Sequence, residues 1–162
     1  MTALATELKV ADETWIAAAL LHQEHPERED FAEQEIVERA RNENILGHLR
    51  PGVLVHVNTH CVANRPPSPA GYRMLYETRR SMRRLYREAD RSHPDRHGKI
   101  VPKRDEIPTQ YHYLLDWYEA VYAPAGQEGW LSGIFEMAGA GKELFAGEDP
   151  DAYVRRLRAG WE

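Results

Sequence analysis

Tyr72-Arg73-Met74-Leu75-Tyr76-Glu77-Thr78-Arg79-Arg80-Ser81-Met82-Arg83-Arg84-Leu85-Tyr86-Arg87 is the stretch that decides the fold. Tyr72, Met74 and Tyr76 alternate with Arg73, Leu75 and Glu77. A polar tip, Thr78-Arg79-Arg80-Ser81, interrupts before Met82 to Arg87 resumes. A period of two on both sides of a polar tip predicts a β-hairpin, although the tip has no tight Asn-Gly turn.

Upstream of this hairpin the texture is helical. Trp15, Ile16, Ala19 and Leu20 recur at helical spacing in a segment from Thr14 to Glu24, with Asp12 and Glu13 near its positive end. His25-Pro26 ends it, because the residue before proline is pushed out of the helical region. A second helix is expected from Asp30, with Glu33 at capping-box spacing and Phe31, Ile36, Val37 and Ala40 as its buried stripe. Asn42, Asn44 and Gly47 supply its end and turn.

The third element reads two ways. Val53-Leu54-Val55-His56-Val57 is β-branched and suits a strand. Over a longer window Val53, Val57 and Cys61 fall at i, i+4 and i+8, with Leu54 and Val62 flanking them and Pro51 placed for a first helical turn. The helical reading is preferred, and it leaves His56, Asn58, Thr59, His60 and Asn64 on the opposite face. After the hairpin, residues 88–108 form a polar loop. A fourth helix is expected from Gln110 to Tyr122, with Tyr111, Leu114, Leu115, Tyr118 and Val121 on its apolar side.

From Ala123 onward glycines break any core, which predicts an extended tail over residues 123–162. One short helix is expected there, at 150–159. Asp149 caps it, Tyr153, Val154 and Leu157 form its stripe, Gly160 stops it, and Trp161 follows as an anchor in need of a surface.

Charge is unevenly distributed over the 162 residues. Residues 1–46 hold 4 basic and 11 acidic side chains, residues 47–104 hold 13 and 4, and residues 105–162 hold 4 and 11. The net of −5 therefore conceals a basic centre between acidic flanks. No run of about 18 apolar residues offers a membrane span. Cys61 is the one cysteine, so no internal disulfide can form and a cysteine-based zinc site lacks ligands. With no basic-then-apolar leader pattern at the N-terminus, a reduced, cytoplasmic protein is expected.

Three helices followed by a basic two-stranded hairpin is the order of a winged helix-turn-helix. The expected class is thus α+β, mainly α, over residues 12–122, with the fourth helix appended. In such folds the third helix enters the major groove and the hairpin, or wing, lies along the backbone or in the minor groove. The residues expected to touch DNA are His56, Asn58, Thr59, His60, Asn64 and Arg65 for the helix region. Arg73, Arg79, Arg80, Arg83, Arg84 and Arg87 are the wing cations. An aromatic fourth helix, with Tyr111, Trp117, Tyr118 and Tyr122, offers a surface for a homodimer. The alternative is a winged helix that docks proteins and binds no DNA.

Thr59-His60-Cys61-Val62-Ala63-Asn64-Arg65-Pro66-Pro67, the Tyr72–Tyr76 run and Arg84-Leu85-Tyr86-Arg87 resemble an uncharacterised family of bacterial winged-helix domains. The resemblance continues through Pro94-Asp95-Arg96, Gly98-Lys99, Pro102 and Leu114-Leu115-Asp116-Trp117-Tyr118, covering roughly residues 12–122. It implies the fold, and DNA contact by analogy alone. In the tail, Gly139 to Asp151, Tyr153 to Arg158 and Trp161 are similar to the C-terminal segment of bacterial antitoxins that pair with PIN-domain ribonuclease toxins. That likeness implies that Arg155, Arg156 or Arg158 reaches a toxin's acidic active site while Tyr153, Leu157 and Trp161 anchor the helix.

Enzymatic patterns are weak. His56 and His60 have the four-residue spacing of a ligand pair, with Cys61 adjacent, but third and fourth ligands are missing and no metal is expected. Asp90, His93, Asp95 and His97 read as a solvated loop. Gly139-Ala140-Gly141-Lys142 lacks the spacing of a phosphate loop, and Cys61 reads as a small core residue. The expectation is a non-enzymatic DNA-binding regulator, without cofactor, acting as the antitoxin of a toxin–antitoxin pair.

Overall fold

The computed structural model describes residues 8–67 and 70–125. The expected tail helix at 150–159, and Tyr153, Arg155, Arg156, Leu157, Arg158 and Trp161 with it, lie outside the described residues. The described part is α+β, mainly α, with one three-stranded antiparallel sheet.

Helix α1 spans Val10–Glu24 and is buried on every side from Ala11 to His22. A helix buried all round belongs in a core rather than on a surface, and this one takes Asp12, Glu13, Thr14 and His22 in with its apolar residues. Here Ala17, Ala18 and Ala19 let neighbouring elements approach, and Trp15 fills the centre. The chain leaves the helix at His25, as Pro26 requires.

A two-residue strand, β1 (Phe31–Ala32), follows before α2 (Glu33–Glu43). The expected helix start at Asp30 is therefore corrected by three residues. Asp30 instead accepts the Thr78 hydroxyl at 2.6 Å. The reach back to the helix start comes from Glu35, which accepts the Ala32 N–H at 2.8 Å while held by Arg28 through two bonds of 2.7 and 2.8 Å. Helix α2 buries Ile36, Val37 and Ala40 as its spacing demanded, and ends at Asn44 in the left-handed region (φ 53°).

Helix α3 (Gly52–Val55) opens into a π-helical turn, His56–His60. Val53, Val57 and Cys61 are fully buried, so the helical reading of this β-branched segment holds. Leu54, expected to flank that buried row, faces solvent instead.

The hairpin is β2 (Leu75–Arg79) and β3 (Met82–Leu85), joined at Arg80-Ser81 with Ser81 at φ 62°. It is shorter than the expected Tyr72–Arg87, and Thr78 sits in a bulge, since Glu77 pairs with Arg83 and Arg79 with Met82. Strand β3 is central, with β1 on its other side in the register Phe31–Arg83 and Ala32–Met82.

A 3₁₀ turn at Thr109–Tyr111 leads into α4 (His112–Trp117), which widens into a second π turn, Tyr118–Tyr122. The wider turn changes the phase of the buried row. Tyr122 goes inward and Val121, expected inside, stands 56% exposed. No helix among the described residues is long and apolar enough to cross a membrane.

Candidate macromolecular interface

The outward face of α3 and its π turn is a row of four exposed residues, Pro51, Leu54, Val55 and Asn58. They fall at i, i+3, i+4 and i+7, one side of a helix. Leu54 is 51% and Val55 45% exposed. The row holds two aliphatic side chains, a proline and an amide, and no cation.

The other polar groups expected on this face are partly spent. The Thr59 hydroxyl donates to Val55 O at 3.1 Å. His56 Nδ1 lies 2.8 Å from Gly52 O, and its ring packs edge-on to that of His60. Burial, joined by the nearby charges of His60 and Arg50, outweighs the Gly52 hydrogen bond and holds His56 below the usual histidine range. Asn64 is turned away from solvent chemistry altogether. Its amide donates to Glu77 O at 3.0 Å and accepts the Glu77 N–H at 2.9 Å, so it serves β2 as a substitute strand neighbour.

The arginines expected on an open wing divide sharply. Arg83 is 0% exposed. Its guanidinium pairs with Glu33 and with Glu77 (3.0 Å), and bonds Val57 O (3.1 Å) and Met82 O (2.9 Å). Burial lowers its pKa while the two carboxylates oppose that shift. Arg84 makes a two-pronged bridge to Asp90, 2.7 Å on each side, and lies over the Tyr76 ring. Burial disfavours its charge, but the Asp90 hydrogen bond and the Tyr122 and Asp90 charges raise it above the ordinary arginine value.

Arg87 lies over Tyr122 at 4.0 Å and bonds Tyr122 O at 3.1 Å. Arg65 pairs with Glu77 at 2.7 Å, and Arg73 donates to Gly98 O at 2.9 Å. The expectation that Arg83 and Arg84 neutralise phosphates is therefore corrected: both are structural, bound to carboxylates and carbonyls inside the domain. Arg79, 72% exposed and 3.6 Å from Asp30, and the exposed Arg80 keep their heads in water at the hairpin tip.

The inward turn of these side chains has a local cause. Val57, Asn58, Thr59 and His60 are the last carbonyls of the third helix, where helical partners run out and Thr59 O alone accepts a turn bond, from the Val62 N–H at 3.2 Å. Arg83 serves Val57 O and approaches Asn58 O at 3.4 Å. Arg96 serves Thr59 O at 2.7 Å and His60 O at 2.8 Å, and also reaches Arg65 O, Pro66 O and Tyr72 O. Two guanidinium groups thus complete a helix C-terminus, where positive charge is favoured. Sequence reasoning missed Arg96, which sits alone in a Pro/Gly loop; no local pattern marks it.

Asp90 is equally structural, accepting from Arg84 and from the Arg87 N–H at 2.8 Å, so the reading of residues 90–97 as a solvated loop fails at that position. Of the fourth-helix aromatics, Tyr111, Tyr118 and Tyr122 are likewise inside. Tyr118 donates to Tyr86 O and Tyr122 to Leu85 O, Tyr111 donates to Glu43, and Trp117 packs on Tyr122. The dimer surface expected from Tyr111, Tyr118 and Tyr122 is corrected accordingly. Among the described residues no group of three or more histidine, cysteine or acidic side chains is placed to hold a metal ion.

Searches with protein-family models, against curated proteins and against solved structures find no match for the chain.

Proposed function

We propose that residues 8–125 are a winged-helix domain that docks a protein partner, within a non-enzymatic regulator of the antitoxin type. The order helix, strand, helix, helix, strand, strand, with β3 between β1 and β2, supports the fold. One observation carries the docking reading. Leu54 and Val55 stand on the outward face of the third helix, while Arg83 and Arg84 are consumed internally. Affinity for duplex DNA rests on cations free to displace counterions from phosphates. Interface cores, by contrast, are apolar patches depleted of charge. The antitoxin part of the reading is supported by the sequence of residues 139–161 alone.

The exposed pair Arg79 and Arg80 favours a second reading, duplex DNA, in which the exposed Asn58 would read an adenine edge. Fluorescence anisotropy with a random-sequence duplex at low salt separates the two. The docking reading expects no binding at micromolar protein, and binding that weakens steeply with salt would replace it with the DNA reading. For the antitoxin part, co-expression with a PIN-domain nuclease encoded beside this chain is expected to give a co-purifying pair. A truncation after residue 122 that still co-purifies would overturn it.

A further inference from the structure

We infer that His56 and His60 form a two-imidazole chelate for a divalent transition-metal ion of the copper–zinc class. The geometry is specific. Gly52 O can only accept, so His56 Nδ1, 2.8 Å away, must carry the ring proton. The tautomer is thereby fixed, and Nε2 keeps its lone pair. A histidine ligand whose other nitrogen donates to a backbone carbonyl is the usual outer-shell arrangement at metal centres.

The second ring is close enough to share an ion. The centroids of His56 and His60 are 4.8 Å apart with planes 78° from parallel. With a metal–nitrogen bond of about 2.0–2.1 Å, each centroid lies roughly 3.2 Å from the ion. With both ring nitrogens turned to one ion, a separation of 4.8 Å is compatible with a nitrogen–metal–nitrogen angle of roughly 100°.

Cys61 does not join the pair. It is fully buried in the core, and burial pushes its thiol well above the ordinary cysteine range. Two protein ligands leave two tetrahedral positions open for water or for donors of a docked partner, unlike a closed structural zinc site. Imidazole ligands favour Cu²⁺ over Zn²⁺ and give no hold on Mg²⁺. The inference stands on the histidine geometry and not on the docking reading.

The test is isothermal titration of the chelator-treated full chain with CuCl₂, ZnCl₂ and MgCl₂, together with electron paramagnetic resonance of the copper form. One equivalent of Cu²⁺ is expected, tighter than Zn²⁺, with nitrogen couplings from two imidazoles and no heat from Mg²⁺. His60→Ala, whose ring makes no hydrogen bond to the described residues, is expected to weaken Cu²⁺ binding at least about tenfold with the circular dichroism unchanged. His56→Ala is expected to do the same, and the double variant His93→Ala/His97→Ala to leave binding intact. Absence of saturable binding overturns the inference, as does Cu²⁺ affinity that survives His60→Ala or falls only with His93 and His97.

Discussion

Arg83 closes an ion pair with Glu33, the first residue of α2, from the middle of the central strand fifty residues further along the chain. One guanidinium thereby joins the sheet, the second helix and, through Val57 O, the end of the third. Removing one partner of a buried pair strands the other charge, which costs about 3–5 kcal/mol. Arg83→Ala is therefore expected to lower the unfolding free energy from urea melts by that order or to prevent folding. Arg83→Lys keeps charge but not the fork and should fall between. A variant as stable as the parent would remove Arg83 from its central role.

Arg79→Ala/Arg80→Ala tests the opposite case. Both side chains are at the exposed tip, so thermal stability should change by no more than about 0.5 kcal/mol. On the docking reading the double variant also leaves duplex binding at its negligible level. On the DNA reading it reduces the salt slope by about 2, since each phosphate contact contributes close to one.

Leu54→Asp and Val55→Asp address the docking face. Each side chain is half in water, so the substitutions should leave the unfolding free energy within about 0.5 kcal/mol of the parent. Binding to a partner seated on this face should weaken by at least about tenfold in each, because a charge would be buried at the contact. A titration of any co-purifying protein against the two variants is the measurement. Retained affinity would move the interface elsewhere.

Much of this arrangement was legible in the residues. Trp15, Ile36, Val53 and Val57 announced a helical core by spacing, and the alternation around Thr78–Ser81 announced the hairpin. Strand β1 was not legible, because two residues carry no period and Phe31 reads equally as the start of a helix face. Val121 falls outside because a period of 3.6 does not hold across a turn that is wider than that. The arginines were the largest misreading. Sequence gives their density but not the position of Glu33, Glu77 and Asp90, whose carboxylates arrive from elements far along the chain or around a turn. The helix carbonyls awaiting Arg83 and Arg96 have no sequence signature either.

His22 makes acid sensitivity predictable in sign. Its ring nitrogen accepts the Leu85 N–H at 3.2 Å, wedged between Phe31 and Tyr122. Burial, then the charges of Arg87 and Arg84, push its pKa down to about 3, with Asp30 opposing. Between the free-histidine value of 6.5 and that level the unfolded chain binds the proton and the native one does not, so stability falls as pH falls. Urea melts should show the loss beginning below about pH 6.5, before carboxylates contribute. Glu106, held down to about 2 by Lys99 and Lys9, adds its own loss only below the ordinary glutamate range. His22→Gln should flatten the slope between pH 6.5 and 4.5, and an unchanged slope would assign it to another group.

Gly98 is where the long loop touches the strand approach most closely. Its N–H bonds Gly71 O at 2.7 Å and its own carbonyl receives Arg73 Nε at 2.9 Å. A Cβ built there would lie 2.4 Å from Gly71 O and 2.8 Å from Tyr72 Cα, both backbone atoms that cannot swing aside. Gly98→Ala must therefore move the loop off residues 71–72, and that loop carries Arg96 into the His60 and Thr59 carbonyls of the third helix. Overpacking of this kind costs about 1–3 kcal/mol. The loss should be accompanied by faster amide exchange at His60 and Cys61, where the helix end loosens. Gly71→Ala, with its nearest neighbours at 3.8 Å, is the control expected to cost far less. Equal effects from the two substitutions would place the close approach outside what holds the third helix in place.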